Sequence, residues 1–203
     1  MVLRNLQREI PFLENKIKLA LIYGSSRAGR FCDTIAAWAI KQIATNPDFL
    51  LDVIDPSISS AGVATEARAA LDAAWLRQHV GDADAFIVVT PEYNHGYPAA
   101  LKSLIDSVGA EWQAKPVAFV SYGGISGGIR AVEQLRQVFG ELHAVSIRDS
   151  VAFSLAWEQF GTDGVLKNPE RAERQMQILL KRLSWWAKAL REARNAVPYA
   201  PAA

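Results

Sequence analysis

The chain has 203 residues, of which 50% are hydrophobic and 21% are charged, a balance typical of one soluble globular domain with a sizeable core. Its formal net charge is +1. This near-neutral charge argues against a dedicated nucleic-acid binder, which carries a basic excess, and against an acidic electron carrier that docks on basic partners. The single cysteine, Cys32, excludes an intramolecular disulfide and a cysteine zinc cluster.

Two further features argue against metal and membrane sites. His79, His95 and His143 are scattered without the spacing of metal ligands. Residues 1–16 mix charged and polar side chains and lack the apolar core of a signal peptide, and the apolar run at 19–23 is too short to span a bilayer. We therefore expect a cytoplasmic protein with no metal site, no membrane partner and no nucleic-acid partner.

Short apolar runs, taken in chain order, predict the strands of a buried parallel sheet. They lie at residues 19–23, 50–54, 86–90 and 117–121, with a weaker fifth run within 144–153. Apolar residues at helical spacing predict helices between these runs, at residues 33–44, 67–80, 98–108 and 130–139.

The last helix has the clearest pattern in the chain. Asn168 is a suitable N-cap and Pro169 a suitable first residue. The apolar residues that line one face are Met176, Leu179, Leu180, Leu183, Trp186 and Leu190. Trp185 and Trp186 are adjacent and cannot share one face of this helix. We expect one of them to pack in the core and the other to cover a subunit contact or to lie half exposed.

Strands and helices alternate along the whole chain, which predicts a single doubly wound α/β domain over residues 1–203. The flavodoxin-like strand order 2-1-3-4-5, with helices on both faces, suits five parallel strands. Residues 1–16 are expected to form an N-terminal extension and residues 196–203 an irregular tail. In such a sheet, ligands bind beyond the carboxyl ends of the strands.

The loop after the first strand, residues 24–32, combines small residues with positive charge. Its glycines let backbone amides turn toward an anion, and the start of the next helix adds free N–H groups. Ser25 and Ser26 add hydroxyls, and Arg27 and Arg30 add charge. This pattern favours a phosphate site over the alternative, a plain turn with solvated arginines. Because Arg30-Phe31 replaces the Lys-[Ser/Thr] of a P-loop, a monophosphate such as that of FMN suits the loop better than a nucleoside triphosphate.

Two more unusual loops follow the third and fourth strands. Residues 90–106 form a loop dense in backbone amides, with two tyrosines, that leads into an amphipathic helix. A flat, polar-edged ligand needs that combination of a surface to lie against and amides to contact its edge. Residues 121–128 contain four glycines, which permit close approach of the backbone to such a ligand. The alternative is a flexible loop in which Ser126 caps the next helix.

Taken together, these loops resemble the NADPH-dependent FMN reductase family, the flavodoxin-like group that includes quinone, azo-dye and chromate reductases. The matching segments are residues 24–30, 91–102 and 121–124, within a resemblance that covers roughly residues 18–153. The first segment alone is weak evidence for the family, and the second is specific to it. The three segments in this order are strong evidence. Many members of the family have Ser at or near the position of Cys32, which here is expected to contribute its backbone amide.

The resemblance implies where FMN would bind. Its phosphate would sit on residues 25–32, with Arg27 as the leading charged contact. Residues 91–94 would line the flavin ring through backbone groups, Tyr97 would lie nearby, and the glycines at 123–124 would approach from the other side. The expected cofactor-binding residues are Ser25, Ser26, Arg27, Arg30, Phe31, Cys32, Pro91, Glu92, Tyr93, Asn94, Tyr97, Ser121, Gly123 and Gly124.

The resemblance also implies the chemistry. NADPH or NADH would pass hydride to flavin N5, and a flavin, quinone or similar acceptor would then take the electrons from the same face, which predicts ping-pong kinetics. Because the flavin carries this chemistry, no side chain is predicted to be catalytic. Two other functions stay open: a flavodoxin-like electron-transfer protein without nicotinamide-dependent activity, and a nucleotide-binding regulator.

Three side chains invite other roles. His95 could protonate a reduced quinone, but we favour a loop histidine that faces solvent or a partner subunit. Cys32 could have a lowered pKa at a helix N-terminus, but we favour a small residue packed against the phosphate loop. Glu92 is expected to point outward or to pair with a cation, because an unpaired buried carboxylate beside a reduced flavin is electrostatically unfavourable.

Assembly is expected from the resemblance alone. In the family, the regions of the helices at 98–108 and 130–139 form a dimer with the flavins near its interface, so we expect a homodimer or homotetramer. The loop at 156–164, which holds Trp157 and Phe160, could wall the acceptor pocket from either subunit.

Overall fold

The structure is a computed structural model that describes residues 16–59 and 66–199, without the side chains of residues 58–59 and 66–72. Of the predicted N-terminal extension, residues 1–15 lie outside the described residues, as do residues 200–203 of the predicted tail.

Five parallel strands form one sheet in the order β2-β1-β3-β4-β5, which confirms the predicted topology. Each strand contains one of the predicted apolar runs. Every residue of the third and fourth strands is buried, as expected for central strands covered on both faces. The strands are β1 (Ile17–Tyr23), β2 (Phe49–Ile54), β3 (Ala85–Pro91), β4 (Pro116–Gly123) and β5 (Val145–Ser154).

Helices occupy the connections between the strands. Pro98 and Pro169 each take the N-cap position, one residue before the helix begins, so neither is the first helical residue and Asn168 is not the cap. No helix in the described ranges has both the length and the apolar composition needed to cross a bilayer. The helices are α1 (Cys32–Ala44), α2 (Pro56–Ser59), α3 (Glu66–Asp82), α4 (Ala99–Asp106), α5 (Ile129–Glu141), α6 (Ala156–Gln159) and α7 (Glu170–Ala196).

The sheet separates two hydrophobic cores, because alternate side chains of each strand point to opposite faces. On one face, α1 and α7 contribute buried residues such as Ile35 and Met176. On the other face, α3, α4 and α5 pack around Trp112, whose ring centroid lies 4.7 Å from that of Phe86 and 5.4 Å from that of Phe139. Full burial of one such side chain contributes about 1.5–3 kcal/mol, so these two layers fix the sheet between its helices.

Neither tryptophan of α7 packs in the core, so the expectation for Trp185 and Trp186 is wrong. Trp185 is 63% exposed and Trp186 is 36% exposed, and their ring centroids lie 5.1 Å apart. The inward face of α7 at this level is taken by Leu183 and Ala187. Ser184 is also buried, so of the three positions between them only Trp185 and Trp186 turn away from the sheet.

Charged side chains fasten α7 to the amino ends of the strands, the edge opposite the loops described below. The Asp84 carboxylate accepts hydrogen bonds from the Lys18 amide at 3.0 Å and from the Arg191 guanidinium of α7 at 3.1 Å. Arg194, one turn further along α7, lies 3.5 Å from the other Asp84 oxygen. Because these contacts join distant parts of the chain, they fix the position of α7 across the sheet.

Lys115 is a buried lysine at the same edge. Its Nζ donates to the carbonyl oxygens of Val80 and Gly81 in the last turn of α3, at 2.8 and 2.7 Å. These carbonyls have no partner within their own helix, so the ammonium group caps the helix C-terminus. Burial lowers the pKa of Lys115 to about 8, and the nearby positive charge of Arg194 adds to the effect.

We expect Lys115 to make the free energy of unfolding depend on pH. Its pKa is about 8 in the folded protein, against an ordinary value of 10.5. Above pH 8 the folded state loses this proton before the unfolded state does, so stability rises with pH, by at most about 1.4 kcal/mol per pH unit. The Lys115→Met variant lacks the titration. Urea denaturation from pH 7 to pH 10 should show the wild type gaining stability relative to the variant above pH 8, and a constant difference would contradict this assignment.

Candidate functional site

Three loops meet at the carboxyl edge of the sheet, because β1, β3 and β4 are neighbours that end at nearly the same level. Tyr23 lies opposite Val89, and Thr90 lies opposite Ser121. Gly24 continues this alignment by donating its amide to the Val89 carbonyl oxygen at 2.7 Å. A Cβ atom at Gly24 would lie only 2.7 Å from that oxygen. Only glycine at this position therefore lets the first loop start so close to the backbone of β3.

The first loop, residues 24–31, presents unsatisfied hydrogen-bond donors to solvent at the N-terminus of α1. Residues 26–29 are exposed. Among the described residues, no acceptor is found for the backbone N–H groups of Ser26, Ala28 and Gly29. The Arg27 guanidinium is exposed and lies 3.7 Å from the centroid of the Tyr93 ring. Free amides at a helix start beside an arginine are the chemistry of an anion site.

Arg30, expected to contact phosphate, is directed elsewhere. Its side chain is only 8% exposed and forms a two-pronged ion pair with Asp55 at the end of β2. It also donates to the Asp33 carboxylate at 2.8 Å and to the carbonyl oxygen of Ser25. Arg30 therefore fixes the shape of the loop through contacts within the protein. Arg27 is the arginine of this loop that stays open to solvent.

Asp55 is held ionised by this arrangement. Burial alone would disfavour its charged form, but hydrogen bonds from Arg30 and from the amide and hydroxyl of Ser57 outweigh burial and lower the pKa of Asp55 below its ordinary value. The same contacts raise the pKa of Arg30 above its ordinary value. Both side chains are therefore charged at neutral pH.

Cys32 is a packed residue and not an activated thiol. Its thiol is buried and donates to the Val89 carbonyl oxygen at 3.6 Å. Burial raises the pKa of the Cys32 thiol to about 11. Phe31 packs beside it, with ring centroids 6.0 Å from Tyr122 and 5.9 Å from Phe160. The favoured interpretation of Cys32 is thus confirmed, and the alternative of a lowered pKa is wrong.

Phe160 belongs to the core and does not wall a pocket, because it is buried among α1, α6 and β5. Trp157, from the same segment, remains exposed at the rim of the third loop, with its Cη2 atom 4.0 Å from where a Cβ of Gly124 would lie. Leu155, which precedes α6, has left-handed backbone angles and donates its amide to the Gly124 carbonyl oxygen at 2.9 Å. This bond sets Trp157 against the glycine loop.

The second loop, residues 92–98, contains a tight turn. Tyr93 and Gly96 exchange backbone hydrogen bonds of 2.9 and 3.1 Å, and the residues between them, Asn94 and His95, both have positive φ, at 49° and 75°. Such angles are uncommon without glycine. Asn94 and His95 are exposed residues, and among the described residues their backbone amides have no acceptor.

Side chains tie the second loop to its neighbours. The hydroxyls of Tyr93 and Ser25 share a hydrogen bond of 2.8 Å, which links the second loop to the first. The side-chain amide of Gln134, in α5, donates to the His95 carbonyl oxygen at 2.9 Å, and His95 is an exposed residue. Tyr97 is partly buried against the core on the α4 side. Of the two tyrosines, Tyr93 is therefore the one that reaches the first loop.

Glu92 joins the second loop to the third and to α5. Its side chain is only 7% exposed. One carboxylate oxygen accepts hydrogen bonds from the Ser126 hydroxyl at 2.8 Å and the Arg130 amide at 3.2 Å, and the other accepts from the Arg130 guanidinium at 2.7 Å. Burial favours the neutral acid, but these donors outweigh it and lower the pKa of Glu92. The expected pairing of Glu92 with a cation is confirmed.

The third loop, residues 124–128, depends on its glycines. Gly127 and Gly128 have φ values of 62° and 85°. A Cβ at Gly128 would lie 2.8 Å from the Ser121 Cβ and 2.9 Å from the Tyr122 carbonyl oxygen. The buried Ser121 hydroxyl donates to the Gly127 carbonyl oxygen at 2.8 Å, so Ser121 shapes the loop. These contacts hold Gly123 and Gly124 at the end of β4, level with buried Pro91 at the end of β3.

Sequence reasoning missed four residues that position these loops. Asp55 gave no signal, because its partner Arg30 is remote in sequence. Ser126 was considered only as a helix cap. Arg130 and Gln134 lie four residues apart and so share one face of α5, a pattern that could have indicated a second loop packed against that face.

Comparison with known proteins places these features in a family. Residues 17–158 match the family model described as NADPH-dependent FMN reductase. This match includes all three loops and all five strands.

Among curated proteins, the chain is 39% identical over 135 residues to an NAD(P)H-dependent FMN reductase of Schizosaccharomyces pombe, covering 62% of this chain and 66% of that protein. It is 37% identical over 113 residues to an NAD(P)H:quinone oxidoreductase of Solanum tuberosum, covering 52% of this chain and 57% of that protein. The chain thus spans less than two thirds of the length of either relative.

Among solved structures, the flavoenzyme NAD(P)H:(acceptor) oxidoreductase FerB of Paracoccus denitrificans superposes with a TM-score of 0.64. The alignment covers 85% of this chain and 98% of that chain at 20% identity. This similarity establishes the shared fold.

The third loop yields a stability prediction. Gly128→Ala should lower the free energy of unfolding by about 1–3 kcal/mol from backbone strain alone, and further because its Cβ would overlap backbone atoms. Gly140→Ala, in the last turns of α5, is the matched control. A Cβ there meets nothing within 4 Å, so helix propensity predicts no loss or a gain of up to about 1 kcal/mol. Chemical denaturation of both variants measures the difference, and equal effects would refute the role given to Gly128.

Proposed function

Because this chain belongs to the NADPH-dependent FMN reductase family, we propose that it is an FMN-binding enzyme that passes electrons from NADPH or NADH to a small acceptor such as a flavin or a quinone. The observation that carries the proposal is the first loop, with free backbone donors and an open Arg27 beside the turn at residues 93–96. When bound, FMN supplies the redox chemistry, and the protein positions it.

A terminal monophosphate fits the first loop. The unpaired amides of Ser26, Ala28 and Gly29 offer hydrogen bonds, and the start of α1 and Arg27 offer positive potential. The loop has no Lys-[Ser/Thr] pair. Within the described residues, no group of three or more His, Cys, Asp or Glu side chains could hold a metal ion. A free phosphate dianion suits this donor set better than a metal-bound triphosphate.

A flat ring fits between the second and third loops. The backbone amides of Asn94 and His95 can donate to its polar edge, and the glycine backbone at residues 123–124 permits close approach. We assign no catalytic side chain. The Glu92 carboxylate is fully engaged by Ser126 and Arg130, and the Cys32 thiol is buried and protonated at neutral pH. The residues of this site therefore bind and orient the cofactor.

Apolar side chains border the same opening. Ile125 is 87% exposed and Trp157 stands beside Gly124, so both can contact the donor or the acceptor when it lies over the ring. The exposure of Ile125 and Trp157 on one side of the loops supports the proposal that donor and acceptor lie there in turn, with ping-pong kinetics. Exposed Ile129 at the start of α5 supports a homodimer or homotetramer formed through α4 and α5. We also propose a cytoplasmic location.

Anaerobic titration tests the proposed function. Protein purified with FMN, or reconstituted with it, should bind the cofactor, and NADPH or NADH should bleach the visible flavin absorbance. A bound flavin that neither nicotinamide reduces would identify an electron-transfer protein instead. A protein that does not bind FMN would overturn the proposal. Steady-state rates at varied donor and acceptor should give parallel double-reciprocal lines, and intersecting lines would exclude the ping-pong order.

Arg27 and the phosphate give a specific binding prediction. Arg27→Ala should raise the dissociation constant of FMN roughly tenfold to a hundredfold, because a charge-assisted hydrogen bond contributes about 1.5–3 kcal/mol. Riboflavin lacks the phosphate, so its affinity should not change. Flavin fluorescence quenching measures both. Arg148→Ala, on an exposed position of β5, is the control and should alter neither constant. Equal weakening of FMN and riboflavin would assign Arg27 to the ring side of the site through Tyr93.

A further inference from the structure

Glu92 and Arg130 form an ion pair whose two halves belong to different parts of the site. Glu92 is the first residue of the second loop, and Arg130 lies in the first turn of α5, directly after the third loop. The carboxylate is buried, while the Arg130 side chain is 48% exposed. The Ser126 hydroxyl of the third loop donates to the same carboxylate. One side chain thus holds two loops and a helix together.

The backbone around Glu92 allows this close approach. Its amide donates to the Tyr122 carbonyl oxygen at 3.1 Å, which extends the pairing of β3 with β4. A Cβ at Gly123 would lie 3.5 Å from the Glu92 Cβ and 3.3 Å from the Gly128 amide nitrogen, so glycine leaves room for the two loops to close on each other. In the turn of the second loop, the Gln134 side chain of α5 donates to the His95 carbonyl oxygen. The second loop is therefore held to α5 at two points, Glu92 and His95.

We propose that Glu92 and Arg130 act as a charge-balanced positioning pair, which sets the separation of the second and third loops and keeps the site electrically neutral on the side where they meet. This inference rests on the proposed binding of FMN. Glu92 and Arg130 are positioning residues, since their hydrogen-bonding atoms contact each other and Ser126. Their two effects are separable: loop separation governs how tightly FMN binds, and charge balance governs its midpoint potential.

The sign of each shift follows from the charge left behind. Reduction adds negative charge to a flavin, so an uncompensated cation nearby stabilises the reduced form and an uncompensated anion destabilises it. Glu92→Gln leaves Arg130 unpaired and should move the midpoint potential to more positive values. Arg130→Gln leaves the Glu92 carboxylate unpaired and should move it to more negative values. A pair that served only to space the loops would not shift the potential in opposite directions.

The experiment compares five variants with the wild-type holoenzyme: Glu92→Gln, Arg130→Gln, the double variant, Ser126→Ala and Glu133→Gln. Glu133 pairs with Arg136 on an exposed face of α5, so Glu133→Gln removes a carboxylate from the same helix without touching the loops. FMN dissociation constants are measured by fluorescence quenching and midpoint potentials by equilibration with a reference dye. Both single variants should bind FMN roughly tenfold more weakly, the loss expected for a charged hydrogen bond. The control should change neither quantity.

Opposed potential shifts in the single variants, with a potential near the wild-type value in the double variant, would support the proposal. Unchanged potentials, or shifts in the same direction, would overturn it. Ser126→Ala removes one hydrogen bond without altering charge, and should weaken FMN binding while leaving the potential unchanged. Should Glu92→Gln fail to fold, a more negative potential in Arg130→Gln beside an unchanged potential in Ser126→Ala still supports the proposal, and an unchanged or more positive potential in Arg130→Gln overturns it. Wild-type protein that binds no FMN would defeat the proposed function itself, whereas bound FMN with unshifted potentials would defeat this inference alone.

Discussion

Parallel pairing of β1 with β3, and of β3 with β4, brings three strand ends to one edge of the sheet. The pairing runs through Tyr23 with Val89 and Thr90 with Ser121, and it extends by one hydrogen bond into each following loop. A slip of one residue in either pair would turn alternate side chains to the wrong face of a fully buried strand. The cores on both faces therefore fix the register, and the register fixes which loop residues meet.

Charged groups at this edge separate into those that hold the loops and one that remains open. Arg30 with Asp55 shapes the first loop, and Glu92 with Arg130 joins the second loop to the third. Arg30 and Asp55 are both largely buried, and removing one partner of such a pair costs about 3–5 kcal/mol, because the other charge is left unpaired away from water. Arg27 is not fastened in this way and keeps its guanidinium exposed over the Tyr93 ring. The loops can thus keep their shape while Arg27 interacts with an anion.

Local patterns in the sequence were sufficient to predict the strands, most helices and the positions of the three loops. Apolar runs identified the strands, and glycines with serines and arginines marked the loops. The pairings between loops could not be predicted in this way. Tyr93 bonds to Ser25 across 68 residues, and Arg30 bonds to Asp55 across 25, so each depends on the folded sheet. The exposure of Trp186 was also missed, because its spacing from Leu179 and Leu183 places it on the predicted apolar face. In the structure, Ser184 and Ala187 occupy the inward side at this level.

The turn at Asn94 and His95 has a consequence for the balance between folding and function. Neither residue has the backbone freedom of glycine, and positive φ at such positions costs of the order of 1–3 kcal/mol each unless surrounding contacts impose it. Here the contacts are the two Tyr93–Gly96 hydrogen bonds and the Gln134 contact to His95. The chain thus gives up some folding stability to hold two backbone amides that have no acceptor among the described residues. Asn94 and His95 restrict the unfolded chain more than glycine would, so the turn stays rigid at the cost of this backbone strain.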